Sequence, residues 1–373
     1  MSKMANYKFD KSILILLLIF CFISIITIYS SQSILDNSVE NLANKQFIWY
    51  LIGFGFIFLI TIVGNVKIFK YSFILYLIGN ITLFLLLIFG TPINNARCWF
   101  SIPGGTIQPS EFMKLILIIV VAKLIQNFND QHPYPSLLDE FLFLLKVGFV
   151  ILIPSVLTFL EPDTGVVLIY VLITSIMLFI SGIRYRFFII LSFLIMLIVG
   201  CVLFIYFNNQ NLFVNLFGSS FFLRVDRILD WSNKSGFQLE NGLSAIGSSG
   251  LFGYGISNTP IYFPEAQTDF IFAVFASNFG FLGSILLLFI ILFFDMKLII
   301  TAIDSNNNIN KYIISGVIGM LLFQQFQNIS MTLGLVPITG ITLPFISYGG
   351  SSLLSYMLAM GLIFNISNQN LKN

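Results

Sequence analysis

The chain has 373 residues, 57% of them hydrophobic and 9% charged, with a formal net charge of +2. A soluble domain carries about 25% charged residues, so there is too little polar surface here to clothe a water-soluble globule, and the chain reads as a polytopic membrane protein. No Lys/Arg cluster suggests a nucleic-acid surface, and one histidine with three scattered cysteines (Cys21, Cys98, Cys201) offers no zinc-type cluster.

A helix crossing the hydrocarbon core needs about 20 mostly apolar residues. Ten segments qualify in chain order: 12–31, 47–65, 71–90, 111–127, 141–160, 165–182, 187–207, 268–294, 312–334 and 344–366. Lys3, Lys8 and Lys11 precede the first without a small-residue cleavage site behind it, which predicts a retained signal anchor. Lys114 and Lys123 interrupt the fourth, and His132 follows it in "NDQHPYP" as an ordinary loop histidine. Alternate short loops hold Lys67 and Lys70, Arg184 and Arg186, and Lys297 and Lys311, whereas the opposite ones hold only Lys45 and Arg97. The positive-inside rule then predicts that both termini are cytoplasmic. The expected fold is all-α, with about ten transmembrane helices forming one integral membrane domain over 1–373. Its large outer loop, about 208–267, lies between spans 7 and 8.

Ionisable groups at membrane depth are costly and mark function by default. Here the unusual polar residues gather on the outward side: Arg97, Gln108, Ser110, Glu111 and Lys114 in "NARCWFSIPGGTIQPSEFMK", Glu161 and Asp163 in "EPDTG", Arg224 and Arg227 in "FFLRVDRILDW", then Glu265 and Asp269 in "FPEAQTDFIFAVF". "PITGITLPFISYGGSS" adds Ser347, Gly349 and Gly350. Glu111 and Lys114 share a helix face, either as a charge-compensating pair or with the lysine lining a phosphate-binding cavity. Arg224 and Arg227 suit an interfacial amphipathic helix or a solvated loop. "AIGSSGLFGYG" is glycine-rich but lacks the lysine of a nucleotide loop, and reads as a tight turn. If one helix covers Glu265 and Asp269, they lie on one face; Asp269 is then a helix cap or a chemical group.

Together these segments resemble the SEDS family (shape, elongation, division and sporulation proteins). "ARCWF…IQPSEFMKL" is similar to the family's "ARRW…QPSE-x-x-K", "EPDTG" to "PDxG", "AIGSSGLFGYG" to "AIGSGGxxGxG", and "PEAQTDFIFAV" to "PEAHTDFIFAV". "NISMTLGLVPITGITLPFISYGGSS" resembles the closing signature. The short tails and the "FD" before the first span resemble RodA more than FtsW. Departures are Gln267 for the family's histidine, Ser277 and Asn278 for an acidic pair, and Cys98 for the second arginine of "ARRW".

The resemblance implies a peptidoglycan glycosyltransferase of the bacterial cytoplasmic membrane. It would polymerise lipid II, a disaccharide-pentapeptide on undecaprenyl diphosphate, beside a class B penicillin-binding protein. The family's catalytic aspartate maps to Asp269. An α-linked donor giving a β-linked product requires one inverting displacement, with a base for the acceptor hydroxyl and cationic stabilisation of the departing diphosphate. Arg97, Lys114, Arg224 and Arg227, with Gln108 and Ser110, are the expected diphosphate or substrate contacts. Glu111, Asp163, Glu265, Ser347, Gly349 and Gly350 are the expected support. Mg²⁺ or another divalent cation is the candidate cofactor, although no spacing specifies a metal. A lipid II flippase and a non-catalytic scaffold are the alternatives; the crowding of polar groups in one leaflet speaks against the flippase.

Overall fold

The computed structural model describes residues 8–34, 41–93, 96–102, 105–219, 221–222, 225 and 236–372. Among them the order is α1 (Lys11–Ser31), α2 (Leu42–Val63), α3 (Asn65–Lys70), α4 (Ser72–Phe89), β1 (Thr91–Ile93), β2 (Ala96–Ile102), β3 (Gly105–Ile107), α5 (Pro109–Gln131), α6 (Leu137–Leu160), α7 (Thr164–Ile180), α8 (Tyr185–Asn208), α9 (Gln210–Phe217), α10 (Phe237–Ser248), α11 (Ile271–Ile303), α12 (Asn308–Thr332) and α13 (Gly350–Asn370). Each predicted segment coincides with a helix. Seven helices (α1, α2, α4, α6, α8, α11 and α13) are long and apolar enough to cross a membrane, and α7 is a shorter apolar helix. The other two, α5 and α12, are long but more polar, and they pack at the centre with α7 and α13.

The chain is not all-α. The 91–110 loop folds as an antiparallel three-stranded sheet in the order β1-β2-β3, with Thr91 opposite Trp99 and Phe100 opposite Ile107. Strand alternation turns Arg97 outward to solvent and Cys98 inward. The segment also carries the chain directly into α5, whose first turn holds Pro109, a residue that suits a helix start. Likewise 208–267 is not simply a loop, for it contains α9 and α10.

Helix α11 breaks at Gly280 (φ 65°, ψ −162°), and the glycine-rich turn after α10 closes around the break. The Tyr254 and Gly255 N–H groups donate to the Ser277 and Asn278 carbonyls at 2.9 and 3.0 Å. In return Phe281 and Leu282 donate to the Gly250 and Leu251 carbonyls at 3.0 and 3.1 Å. Four backbone groups orphaned by the kink are thus satisfied. A Cβ on Gly253 would lie 2.3 Å from the Asn278 oxygen, so glycine is required for this approach. "AIGSSGLFGYG" is therefore a backbone clasp.

Candidate functional site

One cavity of about 710 Å³ brings together five of the polar residues singled out above, Gln108, Glu111, Asp163, Glu265 and Asp269. Its walls include Gln108, Glu111, Asp163, Glu265, Asp269, Gly349 and Gly350, with Trp49, Trp99, Tyr348 and Gln324. These come from α2, the sheet, the starts of α5 and α7, the turn before α11, the middle of α12 and the turn before α13.

Asp269 lies in a run of turns, with α11 starting two residues later at Ile271. Glu265, at φ 54°, bends the chain there, so the two carboxylates do not share a helix face. Asp269 is not a cap either: the N-cap of α11 is Phe270, with no side-chain cap bond. Its backbone is fixed instead. Asn328 on α12 donates through Nδ2 to the Asp269 and Ile341 carbonyls, both at 2.8 Å. Ser347 Oγ donates to the Thr268 carbonyl at 2.7 Å, and the Tyr348 N–H to that of Gln267 at 2.9 Å. No described residue donates a hydrogen bond to the Asp269 carboxylate, and Gly340 (φ 71°) leaves space beside it. Burial, then the charges of Glu265 and Asp163, push this carboxyl up to about 7.

Asp163 caps α7, accepting from the Val166 N–H at 3.1 Å and from Gln108 Nε2 at 2.8 Å. Burial outweighs these bonds and pushes it up to about 6. Two residues earlier, Glu161 is fully buried with neither carboxylate oxygen partnered among the described residues. Burial and Asp163 push it up to about 8, so it is largely protonated at neutral pH.

Lys114 is not on the cavity wall. It is wholly buried behind Glu111, with which it pairs at 2.8 Å, and its ammonium sits 5.4 Å from the centre of the Tyr356 ring. The Tyr356 hydroxyl accepts from Gln324 Nε2 at 2.8 Å, which continues this polar path to α12. Glu111 and Lys114 thus form a buried ion pair, with Lys114 away from the wall. Ser110 is also buried off the wall, its hydroxyl without a partner among the described residues and its carbonyl accepting from the Tyr170 hydroxyl at 3.0 Å. Arg97 is exposed on β2 and does not line the cavity. Arg224 and Arg227 lie outside the described residues. The described wall therefore holds four carboxylates and no Lys or Arg. Among the described residues no group of three His, Cys, Asp or Glu converges. Glu111 is taken by Lys114, and both Asp163 oxygens accept hydrogen bonds.

Sequence reading passed over Trp49, Gln324 and Asn328. The signal for the last two lay in "FQQFQN", a run of amides inside an apolar span, where polar side chains mark function.

The family model described as "Cell cycle protein" (FtsW/RodA/SpoVE) matches residues 10–372. A probable peptidoglycan glycosyltransferase FtsW of Bacillus subtilis is 30% identical over 96% of this chain and 91% of its own length. Stage V sporulation protein E of the same organism is 32% identical over 96% of both. The peptidoglycan glycosyltransferase MrdB of Helicobacter pylori is 33% identical over 94% and 89%. FtsW- and MrdB-named relatives match at nearly equal identity, which gives no preference for the RodA side. Among solved structures, a chain of a peptidoglycan synthase complex that coordinates polymerization and crosslinking superposes with a TM-score of 0.80. It is 25% identical and covers 98% of this chain and 99% of its own. Rod shape determining protein RodA of Thermus thermophilus, 24% identical over 98% of both chains, shares the fold at 0.70. The chain belongs to the FtsW/RodA/SpoVE family, the SEDS glycosyltransferases.

Proposed function

We propose that this glycosyltransferase polymerises lipid II into glycan strands at the outer face of the bacterial cytoplasmic membrane, in cell elongation or division. In this reading all ten long helices cross the bilayer, both termini are cytoplasmic, and the cavity opens outward. Asp269 accepts the proton of the acceptor's GlcNAc 4-hydroxyl as that oxygen attacks the donor's MurNAc anomeric carbon. The anomeric bond to the lipid diphosphate breaks, and configuration inverts in one displacement. The observation that carries this is an Asp269 carboxylate on the cavity wall, free of hydrogen bonds from described residues and pushed up to about 7. A base works best when its pKa lies near the working pH.

Gln108 and Asp163 shape the floor. Glu111, held by Lys114, keeps α5 in place, while Ser347, Gly349 and Gly350 hold the turn that fastens Asp269. Arg224 and Arg227, outside the described residues, are the candidate contacts of the departing diphosphate. A class B penicillin-binding protein is the proposed partner, supported by the synthase complex among the structural relatives. The test is reconstitution of the purified chain with such a partner and labelled lipid II. Wild type makes glycan, and Asp269→Asn loses it by roughly 10²-fold or more. Equal product from both would remove Asp269 as the base, and no product from wild type would favour the scaffold or flippase.

A further inference from the structure

Trp49 has no part in proton transfer or leaving-group departure, yet the fold holds its ring firmly at the cavity wall. A Cβ on Gly350 would meet three contiguous indole atoms, Cε2, Cδ2 and Cζ2, at 2.6, 2.9 and 3.0 Å, so the bare Gly350 backbone covers one ring face. Gly105 supports the ring edge, its Cβ position lying 3.1 Å from Cζ2. One helical turn before Trp49, Gln46 is buried and doubly bonded to the same turn. Its Nε2 donates to the Ser347 carbonyl at 3.2 Å, and its Oε1 accepts from the Gly349 N–H at 3.3 Å. That turn also fastens the backbone beside Asp269 through Ser347 and Tyr348. The indole and the carboxylate are therefore referenced to one piece of backbone. Trp99 and Tyr348 line the cavity as well, and neither the Trp49 nor the Trp99 indole N–H donates to a described residue. Rigid aromatic faces among a few polar groups (here Thr106, Gln108, Ser351 and Ser352) are how pockets take ligands that are apolar on one side and polar at the rim. A pyranose ring has that character, with axial C–H bonds on one face and hydroxyl or acetamido groups around it.

We infer that Trp49, backed by Gly350 and Gly105, is a stacking platform for an N-acetylhexosamine ring in this cavity. The inference deepens the proposed function by naming a sugar subsite, and its test has a readout that does not require polymerisation.

Full-length protein carrying Asp269→Asn is titrated with a soluble β-1,4-linked N-acetylglucosamine oligomer while tryptophan emission is followed. The same titration is run with Trp49→Phe, Trp49→Leu and Trp99→Phe added. Turnover of lipid II by otherwise wild-type protein with the partner is measured in parallel. A saccharide-dependent emission change is expected that persists in Trp99→Phe and disappears with Trp49. With labelled oligomer, Trp49→Leu weakens binding about tenfold, as loss of a stack worth near 1.4 kcal/mol requires, and Trp49→Phe restores most of it. In turnover, Trp49→Leu raises KM by a similar factor with a much smaller change in kcat, which a merely structural role would not produce. Unchanged oligomer affinity and KM in Trp49→Leu would overturn the platform, as would an equal loss in Phe and Leu variants. If wild type makes no glycan but the Trp49-dependent saccharide signal is present, the platform stands and the polymerase reading falls.

Discussion

Replacing Gly253 by alanine tests the clasp around the α11 kink. Two penalties add at this position. With φ at 76°, an L side chain costs about 1–2 kcal/mol. The new Cβ would also lie 2.3 Å from the Asn278 oxygen and 2.6 Å from the Gly280 nitrogen, which are backbone atoms that cannot rotate away. The turn must withdraw, and up to four hydrogen bonds between 250–255 and 277–282 lengthen or break. Each contributes about 0.5–1.5 kcal/mol, so a total loss of roughly 3–8 kcal/mol is expected if all four are lost. Gly64→Ala is the control: its φ is 79°, but nothing lies within 4 Å of the added Cβ, so it carries the backbone penalty alone. Thermal unfolding in detergent, followed by intrinsic fluorescence, should show Gly253→Ala losing several times the stability lost by Gly64→Ala. Amide hydrogen exchange should rise at Phe281 and Leu282 in the first variant only. Equal destabilisation by the two substitutions, or unchanged exchange at 281–282, would refute the clasp.

Because Asp269 is pushed up to about 7 by burial and by Glu265, polymerisation should rise with pH through about 7 as the base deprotonates. Glu265→Gln removes one raising charge, so the acid limb of the pH–rate profile should move to lower pH; an unmoved limb would exclude the coupling. The same raised carboxyl favours the folded state in acid. This contribution is full below its ordinary value of 3.8 and lost as pH rises through about 7. For the buried Glu111–Lys114 pair, Lys114→Met should cost about 3–5 kcal/mol by stranding Glu111, and Glu111→Gln added to it should recover much of that loss. Thermal melts of the single and double variants form the cycle that decides this.

The helices were legible because crossing a bilayer demands long apolar runs, and each of the ten found its helix. Their ends were less so. The run 344–366 suggested a span beginning inside "PFISYGG", yet those residues form the turn that fastens Asp269, and α13 starts at Gly350. The kink at Gly280 was hidden because glycine occurs in membrane helices without breaking them, and only the partner turn at 250–255 makes a break inexpensive. The sheet at 91–107 was missed because three strands of three to seven residues are too short to show alternation. Within the site, Asp163, Glu265 and Asp269, singled out by residue type, line one cavity. Residue types could not show that strand pleating turns Arg97 outward, or that Lys114 points behind the wall. Side-chain direction depends on register and helix rotation, and both are set by packing partners distant in sequence.

The attachment of Gln46 to the 343–350 turn has a consequence for bilayer mechanics. One side of α2 exposes Phe47, Ile48, Leu51, Phe58, Leu59 and Ile62, so if α2 spans the bilayer its tilt answers to the thickness of the hydrocarbon. A change of tilt reaches Ser347 and Gly349 through the two Gln46 hydrogen bonds, and from there the segment carrying Asp269. Gln46 thus ties α2 by two hydrogen bonds to the turn that fastens the segment carrying Asp269.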